Sequence, residues 1–203
     1  MAFNVLTGNI EKTIEAVNAR GIQAELVQTG AEALARLTSL IPQGASVMTG
    51  GSLTLTQIGL DDLLISRNHP WKNLKDDILA EKDFTHQAQL RRESTLADYY
   101  LGSVQAIVES GELVIASGSG SQLPAYAYSS KNVIWVAGVQ KIVPDFNAAM
   151  ERVREYALPI EDQKMKALGF PGSAIGKLLI FERESARYGR NIHLILVNEV
   201  VGV

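Results

Sequence analysis

Residues 29–52 read TGAEALARLTSLIPQGASVMTGGS, and this stretch holds a complete helix, strand and loop in succession. Thr29 and Glu32 have the spacing of a capping box, in which a hydroxyl and a carboxylate satisfy backbone donors at a helix start. Leu34, Leu37 and Ile41 follow at helical period, and Pro42 and Gly44 stop the helix. Ala45 to Met48 is a short apolar run of strand type, closed by the loop Thr49-Gly50-Gly51-Ser52.

Upstream, Asn9 can cap a helix with Ile10, Ile14 and Val17 on one face, and Gly21 supplies a left-handed C-terminal position. Ile22 to Val27 reads as a strand. The chain therefore opens αβαβ with connections of a few residues, which predicts an α/β fold: a mostly parallel sheet flanked by helices.

Downstream, Gly59 to Arg92 has weaker periodicity and reads as a helical excursion broken at His69-Pro70-Trp71. The spacing then predicts a longer helix from Thr95 to Ser110, with Leu96, Tyr99, Tyr100, Ser103, Val104 and Ile107 on its buried side, running into strand Leu113 to Ala116. A second loop, Gly118-Ser119-Gly120-Ser121, a short helix around Leu123 to Tyr126 and the β-type run Val133 to Ala137 resume the alternation. Pro144 opens a helix carrying Phe146, Met150, Val153 and Tyr156, with Asp145 at its positive end. Leu178 to Phe181 and His193 to Val197 read as two closing strands joined by the charged turn Arg183 to Arg190. No repeat or linker interrupts the 203 residues, so a single domain is expected over 1–203.

Composition narrows the function. Apolar residues at 46% and charged ones at 20% are those of a folding chain, and a net charge of -3 without a basic block argues against nucleic acid. There is no cysteine, which removes thiolate metal sites, iron–sulfur ligation and a Cys nucleophile from this chain. No basic leader precedes an apolar segment and no apolar run reaches membrane-spanning length, so a cytoplasmic location without a membrane partner is expected.

The two Gly/Ser loops are the main candidates for chemistry. Gly50, Gly51, Ser52 and Thr54 follow one strand; Gly118, Ser119, Gly120 and Ser121 follow another. Glycine permits close backbone approach, and N–H groups and hydroxyls at such turns face bound anions. The first loop lacks the Lys and the spacing of a P-loop. If both strands lie in one parallel sheet, the loops converge at its carboxyl edge as a small-anion pocket. Lys141, just beyond Val133 to Ala137, would bring a cation to that edge. Unliganded turns and a solvated lysine are the alternative readings.

His69, His86 and His193 lack metal-ligand spacing, and Asp61-Asp62 and Asp76-Asp77 read as helix ends, so no metal is expected. Glu109, between a predicted helix and a strand, is a candidate carboxylate; its alternative is a polar terminus before Gly111.

With these residues in view the chain resembles the LUD-domain family of lactate-utilization proteins (LutC/YkgG-like). The segment Asp98 to Ile107 is similar to that family's Asp…Gly…Ala-Ile helix, Glu109 and Gly111 fall at its Glu-Thr-Gly turn, and Val136 to Val143 resembles its strand ending in Lys-Ile-Val. Gly50-Gly51-Ser52 and Ile58-Gly59 match its Gly-Ser loop and following helix. The resemblance implies a NagB/RpiA/CoA transferase-like fold and a role beside iron–sulfur partner proteins in oxidation of L-lactate to pyruvate. Some relatives carry a Cys-rich segment where this chain has Ala167 to Arg190 without cysteine, so redox chemistry is expected on a partner.

Three functions remain open. One is a non-redox accessory subunit holding a small carboxylate or phosphorylated ligand, with no cofactor of its own because no flavin or nicotinamide fingerprint is visible. Another is an autonomous isomerase-like or acyl-CoA transferase-like enzyme, with Asp98 or Glu109 as base or nucleophile and Lys141 stabilising developing negative charge. The third is a ligand sensor. A homodimer through Gly59 to Arg92 or through the terminal hairpin is compatible with each.

Overall fold

The structure, a computed structural model, describes residues 10–203, so the Asn9 cap lies outside the described residues. The opening alternation is present: helix α1 (Ile10–Ala19), strand β1 (Gln23–Val27), helix α2 (Gly30–Ser39) and strand β2 (Ser46–Thr49). The Thr29 hydroxyl accepts from the Glu32 amide at 3.2 Å. The reciprocal Glu32 carboxylate takes the Gln28 amide at 2.7 Å, one residue earlier than the usual box.

The Gly59 to Arg92 excursion consists of helices α4 (Leu60–Ser66), α5 (Leu74–Ala80) and α6 (Phe84–Glu93), following the short α3 (Leu53–Gln57). A two-residue strand, β3 (Lys72–Asn73), pairs with β2 at the sheet edge.

The predicted helix from Thr95 to Ser110 does not form. A single 3₁₀ turn is followed by strand β4 (Tyr99–Gly102) and strand β5 (Ala106–Val108). Tyr100 packs into one hydrophobic core and Leu101 into another, on opposite faces of one sheet. A central parallel strand is apolar on both faces, so it has no alternation to distinguish it from a buried helix turn. Leu96, expected on the buried side, is exposed.

The remaining elements are β6 (Leu113–Ser117), a π-helical turn (Ala125–Ser129), β7 (Asn132–Gly138), β8 (Ile142–Val143), α7 (Phe146–Glu151), a π-helical segment (Arg152–Ala157), α8 (Leu158–Ala167), β9 (Lys177–Phe181) and β10 (Asn191–Val197). A six-stranded sheet has the order β1-β10-β7-β4-β2-β3, every neighbouring pair parallel. A four-stranded mixed sheet has the order β8-β5-β6-β9. The closing strands β9 and β10 therefore sit in different sheets. The expected terminal hairpin is absent, because β10 inserts between β1 and β7 while β9 pairs with β6.

Three cores separate four layers. Val133, Trp135 and Leu194 from the larger sheet pack against Ile107, Leu113 and Phe181 from the smaller one. The opposite face of the larger sheet, with Ile134, Val136 and Ile195, is covered by Leu37 of α2 and by Leu55 and Leu60. The outer face of the smaller sheet, with Ala106 and Val114, packs on Ala149 and Val153.

Arg190 ties the π-helical turn to the start of β10. Its guanidinium donates to the carbonyls of Ala125, Tyr126, Ala127 and Ser130 at 2.8–3.0 Å and pairs with Glu184 at 2.7 Å. Both side chains are buried. Arg190→Ala leaves the Glu184 carboxylate buried without its cation and is expected to cost about 3–5 kcal/mol in urea unfolding. A loss under about 1 kcal/mol would mean that water replaces the guanidinium at no cost.

Candidate functional site

The loop after β2 and the loop after β6 meet although their strands belong to different sheets. The prediction of one shared parallel sheet is thus incorrect, yet the two carboxyl ends face each other across the layer boundary. A Cβ added at Gly50 would lie 3.8 Å from Gln122 Cβ. Between the loops is a pocket of about 180 Å³, walled by Gly50, Gly51, Ser52 and Thr54 on one side and by Ser117, Gly118 and Gln122 on the other.

The second loop divides. The Ser117 hydroxyl accepts from the Gly120 amide and donates to Gln122 Oε1, which folds the turn back on its strand, with Gly120 at φ +81°. Ser119 Oγ donates to Ser121 Oγ at 3.1 Å, and Ser121 lines a separate pocket with Arg91 and Arg92. Of the predicted tetrad only Gly118 reaches the main pocket.

Lys141 is the polar floor. It lies in a 3₁₀ turn joining β7 to β8, where the chain leaves the larger sheet for the smaller, and only 2% of it is exposed. Its Nζ donates to Thr54 Oγ1, Ser103 Oγ and the Val104 carbonyl, each at 3.1 Å. Three neutral oxygens use all three ammonium protons, and no carboxylate among the described residues forms an ion pair with Lys141. Burial, with repulsion from Arg152, pushes the Lys141 amine down to about 7. Arg152 is itself buried, donates to the Gln105 carbonyl at 3.0 Å and lies over the Tyr156 ring.

Ser103, Gln105 and Tyr126 complete the inner surface. Ser103 and Gln105 occupy the crossing between β4 and β5, inside the segment read from sequence as a helix. Ser103 Oγ also donates to the Val136 carbonyl at 2.6 Å and lies 3.2 Å from Thr54 Oγ1. At the rim are Glu161 of α8, the 173–175 loop and Val203. The last segment is held there by Gln140, whose side-chain amide donates to the Val201 carbonyl, and by Gln57, which accepts from the Gly202 amide.

Two predicted catalytic carboxylates are elsewhere. Asp98 precedes β4 at the amino edge of the sheet and accepts from the Ser46 amide and hydroxyl. Those bonds hold its carboxyl below the usual range and fix the β2–β4 register. Glu109 sits in the β5–β6 turn, its amide bonded to the Val143 carbonyl. Lys141 Nζ bonds to Ser103 and Val104, which precede β5, whereas Glu109 follows it, so the length of β5 separates Glu109 from the amine. A spacing-based search could not place Ser103 because its partner Lys141 is 38 residues away.

A LUD-domain family model matches residues 10–176. The chain belongs to the LUD-domain family. Within this LUD domain the matched span includes both loops, Ser103 and Lys141; β9, β10 and the 201–203 segment follow it. A DUF162 family protein from Deinococcus radiodurans, whose crystal structure was determined at 1.70 Å, is similar with 14% identity and a TM-score of 0.53. The alignment covers 93% of this chain and 96% of that one, which supports the fold alone. The eIF2B beta protein from Chaetomium thermophilum aligns with 15% identity over 68% of this chain and 48% of its own, and its TM-score of 0.38 carries no argument. A search of curated proteins found no match. Among the described residues no helix is long and apolar enough to cross a membrane, and no group of three metal-binding side chains occurs.

Proposed function

We propose that this LUD domain binds a small organic carboxylate of lactate or pyruvate size in the Lys141 pocket, as a non-redox subunit in lactate-linked oxidation. The observation that carries the reading is a buried lysine that lines the cavity and forms no ion pair among the described residues. A bound carboxylate supplies the missing negative charge in a low-dielectric site, where such a pair is stronger than at the surface. The cavity volume of about 180 Å³ favours an acid of a few carbons over a whole nucleotide. The family's connection with lactate utilization supports the choice of acid. The absence of cysteine moves iron–sulfur electron transfer to partner proteins.

Calorimetry with L-lactate, pyruvate and inorganic phosphate tests the reading. Only the ammonium form of Lys141 attracts an anion, and in the free protein that form is lost as pH rises through about 7. Affinity for pyruvate is therefore expected to fall by up to about tenfold per pH unit above about 7, levelling only where the liganded amine itself loses its proton. Affinity unchanged between about pH 6 and pH 9, or no binding of either acid, refutes the proposal.

A further inference from the structure

Lys141 makes a second contact that anion binding does not require. Its Nζ is 3.1 Å from Ser103 Oγ, within the range of a nucleophile and its base, and both residues line the same cavity. Thr54 Oγ1 is equally close but is itself fully buried, whereas Ser103 is partly open to the cavity. We propose that Ser103 and Lys141 form a nucleophile–base pair, and that the pocket is an acyl-transfer site for esters or thioesters of short organic acids. The proposal rests on the reading of this cavity as a small-acid site and adds a reaction to it.

The chemistry closes without any redox partner. Ser103 Oγ now donates to the Val136 carbonyl; turning that proton towards a neutral Lys141 amine frees the oxygen lone pair for attack. Ser103 Oγ bonds to the acyl carbon as its proton passes to Lys141 Nζ. The tetrahedral intermediate collapses with cleavage of the bond to the alcohol or thiol, which leaves with the proton from Lys141. Water then attacks the acyl-Ser103 ester, giving a proton to Lys141, and as the bond from the acyl carbon to Ser103 Oγ breaks Lys141 returns that proton to Oγ, restoring the hydroxyl and the neutral amine while the acid leaves.

The lysine is suited to accept a proton near neutrality because burial and Arg152 disfavour its charge. The ionisable groups around it are Arg152 on the π-helical segment, Glu161 on α8 and Tyr126 on the π-helical turn. Arg152 stays charged throughout neutral pH, and burial raises the Tyr126 phenol far above that range. Lys141 is thus the group expected to govern a neutral-pH profile.

Labelling of the full chain with a small fluorophosphonate, mapped by peptide mass spectrometry, tests the pair. Label is expected on Ser103, at a rate that rises between about pH 6 and pH 8 and then levels. Ser103→Ala should take none, and Lys141→Met should slow labelling by about 100-fold or more. Label on another residue, a rate that ignores pH in this window, or a Lys141→Met rate near wild type overturns the pair. If wild type binds pyruvate through Lys141 yet Ser103 takes no label, acyl transfer fails while the small-acid reading stands. Label on Ser103 with no binding of either acid overturns the small-acid reading, and with it the assignment of the acyl group.

Discussion

Lys141→Met is expected to abolish binding of small carboxylates and, at pH 7, to raise the stability of the fold. The two effects have one origin. A lysine whose folded value is about 7 against an ordinary 10.5 must be charged at a cost when the protein folds below neutral pH. Between those values the unfolded chain holds a proton that the folded chain has lost. Wild-type stability should therefore rise with pH across the interval from about 7 to 10, because the unfolded state binds more protons there. The methionine variant has no such group and should lack this contribution to the slope. Removing a buried charge in favour of an apolar side chain of similar length is expected to gain about 1–4 kcal/mol. The lost donor to the Val104 carbonyl offsets part of the gain, while Thr54 and Ser103 remain within hydrogen-bond distance of each other. Urea unfolding at pH 7 and near pH 9.5 measures both quantities. A variant less stable than wild type that keeps the full pH slope would show that Lys141 is not charged at a cost. Stability sacrificed at a residue that lines the cavity is what a binding group, rather than a structural one, should show.

Gly102→Ala should lower stability by about 3 kcal/mol, within reach of the largest overpacking effects. A Cβ at Gly102 would lie 1.7 Å from the Tyr126 hydroxyl oxygen and 2.7 Å from Cζ. Tyr126 cannot give way easily: its ring is set edge-to-face against both Tyr100 and Trp135 at centroid distances of 5.5 and 5.4 Å. Its backbone is also gripped by Arg190. The clash should propagate into the pocket because Tyr126 lines it. Removing the hydroxyl in Tyr126→Phe relieves the closest contact, so the double variant is expected to lose less than the sum of the two single losses. Additive losses would mean that the strand shifts away from the ring instead.

Much of the larger sheet's surroundings was legible because amphipathic helices and short loops announce themselves locally. The Thr29 cap, the β1 and β2 strands, the left-handed Gly21 and the break before Trp71 all depend on neighbours within a few residues. Tyr99 to Gly102 resisted that reading. Its alternate side chains enter two different cores, both apolar, and a continuous apolar run has no period to report. The mistaken helix concealed Ser103 and Gln105, which owe their place in the pocket to the chain's passage from one sheet to the other.

The sequence by itself determined the α/β class, the two glycine-bearing turns, the lysine after the β-type run and the lack of sulfur ligands, since each follows from residue type or local spacing. Only the tertiary structure decided which of these meet. Non-local strand pairing put the Gly50 and Gly118 loops in different sheets yet across one cavity, left Ser121, Asp98 and Glu109 outside it, and buried Lys141 between Thr54 and Ser103. A lysine in water and a lysine among three neutral oxygens have the same letter in the sequence. Their charge at neutral pH differs because desolvation is a property of everything packed around the amine.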